Sequence, residues 1–339
     1  MSATTDSSRA GAPTAGPGGP HSAGAPSGDV ELVRVHRSGV HENSHYGALV
    51  ILDADGTVLD QVGDVSRPVF HRSCAKPFQA TAMLETGLTL DGGDLAVAAA
   101  SHAGEAGHVE RILGILAGGG LSEDDLGCPA DRPEDESARD AAVLAGVPSR
   151  KLLMNCSGKH AAMLRTCLVK GWPTVGYLAV DHPLQIAVRA TVTRLTGAEP
   201  SAVGVDGCGA PVFATDLVAL ARGFAALVTG PVGSPERRVA DAMRAHPWLV
   251  GGTHSPDTQV MTAVPGILVK LGADGVQAFA LPDGRAAAFK ISDGAHRARL
   301  PLIKAALGRL GIDVDLPADV VLGGGRPVGA ATVVPHLFS

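Results

Sequence analysis

The order of hydrophobic periodicities along the chain constrains its fold more than any other feature. Residues 31–37 and 47–53 alternate apolar and polar side chains and predict half-buried strands. The second of these meets residues 57–62 across Asp53-Ala54-Asp55-Gly56, a hairpin turn. Helical periodicity follows over residues 76–86, 107–116, 160–170, 184–195, 216–227 and 236–245, and several of these stretches stop at Gly or Pro. Strand patterns return at 267–270, 276–281 and 286–291, with Pro282-Asp283-Gly284 as a turn, before a last helix over 296–310. Strands, a helical middle, strands and a final helix spell an α+β fold. The expected architecture is an antiparallel sheet with packed helices and a helical lobe.

Composition narrows the function. The chain has 339 residues, of which 45% are hydrophobic and 18% charged, an ordinary globular balance. A net charge of -6 with 3% aromatic residues argues against nucleic acid, which needs a basic face and stacking rings. No apolar run approaches the roughly 18 residues of a membrane helix, so no membrane partner is expected. Of 28 basic residues only 7 are lysine: Lys76, Lys151, Lys159, Lys170, Lys270, Lys290 and Lys304. Arginine stays charged in a protein, whereas a lysine amine can lose its proton in a suitable site. Each lysine is therefore informative, although any one taken alone reads equally as a solvated cation.

The first 28 residues hold 6 Gly, 4 Pro, 6 Ala and 5 Ser and no large aliphatic side chain, so residues 1–28 are expected to be a disordered tail. They have neither the basic start nor the apolar centre of a signal peptide. Residues 29–339 are expected to form a single catalytic domain. Five cysteines without disulfide-like spacing point to the cytoplasm and reduced thiols.

Four clusters carry chemistry. Ser73 and Lys76, in Arg72-Ser73-Cys74-Ala75-Lys76-Pro77, form the only Ser-x-x-Lys in the chain. At a helix start, residues three apart share a face, so the amine can take the hydroxyl's proton while backbone N–H groups meet an oxyanion. A Ser cap followed by a surface Lys fits the same residues. Asn155-Cys156-Ser157-Gly158-Lys159-His160 and Asp206-Gly207-Cys208-Gly209 each set a cysteine in a glycine-bearing loop, where two thiolates and one or two nitrogens would make a zinc site. Generic metal chemistry favours His160 over Lys159 as the nitrogen ligand; two buried thiols are the plainer alternative. Lastly, Ser101 ends an apolar run, and Lys270 ends a strand before a Gly turn.

Taken in order, these segments resemble the rhizobial-type (class 3, zinc-binding) L-asparaginases of the L-asparaginase II family. The match runs through Glu42-Asn43-Ser44-His45, Arg72-Ser73-x-Ala75-Lys76-Pro77, Ala100-Ser101-His102, Asn155-Cys156-Ser157-Gly158-Lys159-His160, Asp181-His182-Pro183, Asp206-Gly207-Cys208, Lys270-Leu271-Gly272-Ala273 and Lys290-x-x-Asp293-Gly294, over about residues 30 to 335. The resemblance implies a fold like that of serine β-lactamases and glutaminases, a homodimer, and hydrolysis of L-asparagine to L-aspartate and ammonia through a serine acyl-enzyme. It pairs Ser73 with Lys76 and Ser101 with Lys270 as catalytic tandems; the resemblance leaves the nucleophile open between Ser73 and Ser101, and the helix start favours Ser73. It gives zinc to Cys156, Lys159 and Cys208, with His160 orienting substrate or Lys159, and it makes Arg72 and Asp206 the holders of the α-carboxylate and α-amino groups. Cys74 departs from the pattern by replacing a small apolar residue, and the chain stops early at Ser339. Another Ser–Lys amide hydrolase, a glutaminase or a penicillin-interacting enzyme, would share Ser73 and Lys76, and a non-catalytic zinc protein would keep only the cysteines.

Overall fold

The computed structural model describes residues 28–338. The expected tail therefore lies outside the described residues except for Gly28, whose carbonyl accepts from the Asp64 N–H at 2.8 Å. The chain opens with β1 (Val30–Arg37), β2 (Val40–Leu52), β3 (Val58–Val62) and the short β4 (Val69–Phe70). A helical stretch follows: α1 (Lys76–Glu85), α2 (Gly92–Ala98), α3 (Ala106–Ala117), α4 (Glu136–Leu144), α5 (Ser157–Lys170) and α6 (Pro183–Thr196). A second hairpin, β5 (Ala202–Val205) and β6 (Pro211–Thr215), precedes α7 (Leu217–Thr229), α8 (Pro235–Ala245), α9 (Pro247–Gly251) and α10 (Pro256–Ala263). The chain closes with β7 (Leu268–Leu271), β8 (Val276–Ala280), β9 (Ala286–Ile291), α11 (Arg299–Arg309), β10 (Val320–Gly323) and β11 (Arg326–Val333).

The α+β reading holds. Eight strands form one antiparallel sheet in the order β10-β11-β1-β2-β9-β8-β7, with β3 added beside β2. Strand β2 is its spine. Its first half pairs with β1, while its second half lies between β3 and β9. That second half differs from the sequence reading: every side chain from Ala48 to Leu52 is buried, so both faces are covered rather than one. Helix α7 packs on β2, β8 and β9, and α11 on β1 and β11. Gly47 is forced by this packing, because a Cβ there would fall 1.9 Å from the Lys290 carbonyl oxygen of β9.

Beside the sheet lies the helical lobe. Helix α1 packs on α5, α6 and α8, and α2 packs on α3, α5, α8 and α9. Phe78 of α1 meets Phe224 of α7 edge-on at 5.7 Å, which ties lobe to sheet through the shared core. A small second sheet, β4-β6-β5, leads the chain into α1 and also carries the 206–210 turn. Both segments therefore reach one place.

Candidate active site

A cavity of about 290 Å³ opens where the two parts of the fold meet, lined by Ser73, Ser101, Glu134, Asn155, Ser255, Leu271, Ala273 and their neighbours. Ser73 enters it from a single 3₁₀ turn, Arg72–Ala75, that runs straight into α1. Arg72 adopts φ +49°, a left-handed conformation costly for a residue with a Cβ, immediately before the serine. Such strain is held only where surrounding contacts fix it. Here His71 is buried and bonds Thr215 Oγ1 of β6 at 2.7 Å, and Arg72 Nε donates to Asp206 at 2.7 Å.

Ser101 follows the fully buried residues 96–100 at the end of α2, and its N–H is held by the Val250 carbonyl at 3.1 Å. Its neighbour His102 is locked. The Gly104 N–H donates to His102 Nδ1, so Nε2–H donates to Ser157 Oγ at 2.8 Å, which in turn donates to the Leu152 carbonyl. The start of α5 is thereby fastened to the Ser101 segment.

The lysines do not pair as the sequence suggested. Lys76, 1% exposed, donates to Ser101 Oγ at 2.8 Å and to the Asn155 carbonyl at 3.4 Å, rather than to Ser73. Lys270 donates to Asp257 Oδ2 at 3.1 Å and to the Leu271 carbonyl at 3.0 Å, not to Ser101. The reason is geometric: β7 delivers Lys270 to the side of the cavity that α10 closes, and α10 carries a carboxylate there. Lys76 has no carboxylate partner. Burial pushes its pKa down; Cys156 pulls the other way, and the charges of Lys159 and Lys270 add to the downward push.

Next to this cavity the two cysteine loops converge. Cys156 is the N-cap of α5, and Cys208 sits in the turn between β5 and β6, where Gly209 takes φ +87°. Lys159 Nζ donates to Cys208 Sγ at 3.0 Å, and Cys156 Sγ to Asn155 Oδ1 at 3.0 Å. A hydrogen bond from Cys156, helped by Lys159 and His160, holds the Cys208 thiol far below its ordinary range. The same contact and burial push Cys156 up. Burial works against the Lys159 ammonium, but the two sulfurs outweigh it and raise its pKa. His160 Nδ1 bonds the Tyr177 hydroxyl at 2.6 Å, while its Nε2, close to Cys208, is buried without a partner. Among the described residues no three His, Cys, Asp or Glu side chains are arranged to hold a metal ion.

Arg72 and Asp206 bond each other beside the thiol cluster rather than lining the cavity, and Arg72 also reaches Asp274. Cys74 does not add a thiol to the pocket: it is fully buried, donates to the Lys270 carbonyl at 3.0 Å, and burial pushes its pKa up to about 12. Two other motifs serve structure. His45 bonds Asp293 at 2.6 Å, joining Glu42-Asn43-Ser44-His45 to Lys290-x-x-Asp293-Gly294, and His182 Nδ1 caps α6 by accepting from the Leu184 N–H. Sequence reasoning missed Asp257, Gln277 and Arg299. In sequence Asp257 follows Ser255-Pro256 and reads as a helix-start acid; nothing local says that it is buried.

Among the described residues no helix is long and apolar enough to cross a membrane. No curated protein matches the chain. Many solved structures are distantly similar, three of them as follows. Mglu in its native form shares 15% identity at a TM-score of 0.46, over 79% of this chain and 65% of that one. A β-lactamase from Mycobacterium bovis shares 16% at 0.39, over 78% and 93%. EstCE1, a hydrolase with promiscuous acyltransferase activity, shares 15% at 0.37, over 82% and 93%. The chain thus spans a little under two thirds of the length of Mglu. Its own sequence is more decisive: the L-asparaginase II profile matches residues 33–323, covering the serine, lysine and cysteine motifs together, and the chain belongs to the L-asparaginase II family of amide hydrolases.

Proposed function

We propose that this protein is an L-asparaginase that hydrolyses the side-chain amide of L-asparagine to L-aspartate and ammonia through a serine acyl-enzyme. The observation that carries the reading is a dry lysine amine without a carboxylate partner, Lys76, in contact with a serine hydroxyl in a cavity shared by two serines. Ser73 Oγ attacks the amide carbon, and its proton passes through Ser101 to Lys76. Lys76 lies one helical turn beyond Ser73, and the strained Arg72 supports Ser73 as the nucleophile. Collapse of the tetrahedral intermediate returns the proton to the leaving nitrogen as ammonia departs. Water, deprotonated by the same amine, then cleaves the ester. Lys270, paired with Asp257, acts as a fixed cation near the developing oxyanion rather than as a base. The Arg72–Asp206 pair, bonded to each other beside the cavity, parts to give one cation to the α-carboxylate and one anion to the α-ammonium of the substrate.

The donor set beside the cavity fits zinc once Lys159, now an ammonium donating to Cys208, gives up its proton to the incoming ion: two adjacent sulfurs, one already drawn to the thiolate, and an amine. Cys156, Lys159 and Cys208 would hold the ion, and it would supply a fixed positive charge that orients the substrate. His160, with its orphaned Nε2, steadies Lys159 or the substrate from beside the cluster. Five cysteines without disulfides support the reduced, cytoplasmic setting, and the homodimer implied by the family resemblance completes the reading.

Ammonia release from L-asparagine and L-glutamine, measured beside the colour change of a chromogenic β-lactam, tests the substrate. Preference for L-asparagine is the expected result. Turnover of the β-lactam alone would favour a penicillin-interacting enzyme, and turnover of none would leave a zinc-binding protein.

A further inference from the structure

We propose that Asp257 is a positioning residue of this pocket, which holds Lys270 and the backbone of Leu271 and Gly272 in place; the role rests on the amide-hydrolase reading above. Asp257 is the only acidic residue buried as a whole among the described residues, in a core that also buries Lys76, Lys159, Lys270 and Arg299. A carboxylate removed from water is costly unless it is fully bonded, so its place there needs a reason.

Its contacts supply one. Asp257 Oδ2 accepts from Lys270 Nζ at 3.1 Å and from the Leu271 N–H at 2.9 Å, and Oδ1 accepts from Gln277 Nε2 at 3.2 Å. Gln277 Oε1 then accepts from Arg299 at 3.0 Å, and Arg299 also holds the carbonyls of Val276 and Gly272, both at 2.6 Å. One carboxylate on α10 thereby ties β7, β8 and α11 together at the cavity wall. Leu271 and Ala273 line the cavity, while Gly272 lies so close to the Ser73 turn that a Cβ would meet the His71 carbonyl at 2.8 Å. Cys74, next to Ser73, bonds the Lys270 carbonyl from the other side. The Ser73 turn therefore rests on a wall whose position Asp257 fixes.

The test uses the full chain. With only seven lysines, ζ-¹⁵N-lysine labelling gives a spectrum in which the Lys270 ammonium can be assigned by its loss in Lys270→Met. Bonded in a dry site, it is expected to give a slowly exchanging signal in the wild type that vanishes in Asp257→Asn. Asp257→Asn should lower kcat for asparagine by about 10²-fold, the order expected from misplacing a reacting group by an ångström, with KM changed far less. Asp257→Asn/Lys270→Met should turn over no more slowly than Lys270→Met alone, because Asp257 acts through Lys270. The double variant also stands in if the single one fails to fold, since it leaves no unpaired buried charge. A retained Lys270 signal with unchanged kcat in Asp257→Asn overturns the proposal, and so does a double variant clearly slower than Lys270→Met. A wild type that releases no ammonia from asparagine would instead refute the proposed reaction, and the lysine spectrum would still decide the positioning.

Discussion

Gly158 sits in the first turn of α5, between Cys156 and Lys159, in a helix where alanine is ordinarily the better residue by about 1 kcal/mol. The packing reverses that preference. A Cβ on Gly158 would fall 2.5 Å from the Val97 carbonyl oxygen, a backbone atom at the end of α2 that cannot swing aside. Ordinary contact begins near 3.4 Å, so α5 and α2 would have to part by about 1 Å. Overpacking of this kind costs about 1–3 kcal/mol, which outweighs the helix gain and leaves Gly158→Ala about 1 kcal/mol less stable. For a chain of this size that is a melting point lower by about 2 °C. Gly114 of α3 is the control, because nothing lies within 4 Å of its Cβ position, and Gly114→Ala should be more stable by about 1 kcal/mol. Function should follow the same split. The displaced elements carry Cys156 and Lys159 on one side and lead to Ser101 on the other, and an ångström of misplacement costs about 10²-fold in rate. Thermal melts and ammonia release on both variants are the assay. If Gly158→Ala melts higher than wild type, as Gly114→Ala should, the close packing of α5 on α2 is wrong.

Three other expectations follow from the site and its supports. Burial pushes the His71 pKa down from 6.5 to about 4, so the unfolded chain takes up a proton that the folded chain refuses. The stability this gives is complete above pH 6.5 and falls away toward pH 4, by about 3 kcal/mol; urea unfolding at pH 7 and pH 4.5 should show a smaller acid loss in His71→Gln than in wild type. Arg72→Gly accepts φ +49° without strain, so its melting point should hold while KM for asparagine rises at least about tenfold; an unchanged KM would show that Arg72 does not hold the substrate. Purified protein should carry about one zinc per chain, lost in Cys208→Ser and on acidification, and Lys159→Ala should weaken it more than His160→Ala. The reverse order would hand the nitrogen position to the imidazole.

The order of strands and helices was legible because most elements bury one face and end at Gly, Pro or a capping residue. Asp53-Ala54-Asp55-Gly56 closes as expected, with the Gly56 N–H on the Asp53 carbonyl at 3.0 Å. The last strands, β10 and β11, were missed because residues 320–333 cover a sheet edge with side chains mostly exposed or half-buried, which leaves little alternation to read. The extension of β2 back to Val40 was hidden for the same reason, in the mostly exposed run 40–44. Short motifs named the residues around the cavity but not their partners. Spacing put Lys76 beside Ser73, yet the amine reaches Ser101, because α2 ends against α1 and α5, a contact between segments 25 residues apart. Asp257 left no local trace, since its partners come from β7 and β8 and only the fold brings them together.

The central claim is that Ser73 forms an ester with the substrate and that Lys76 accepts its proton. Protein quenched during turnover of L-asparagine and digested for mass spectrometry tests it most directly. The account predicts an aspartyl ester on the peptide that contains Ser73, absent in Ser73→Ala. It also predicts that ammonia release falls by several orders of magnitude in Ser73→Ala and Lys76→Ala, with the fold intact. An ester on Ser101 instead, or a tenth of wild-type activity surviving in either variant, would contradict it.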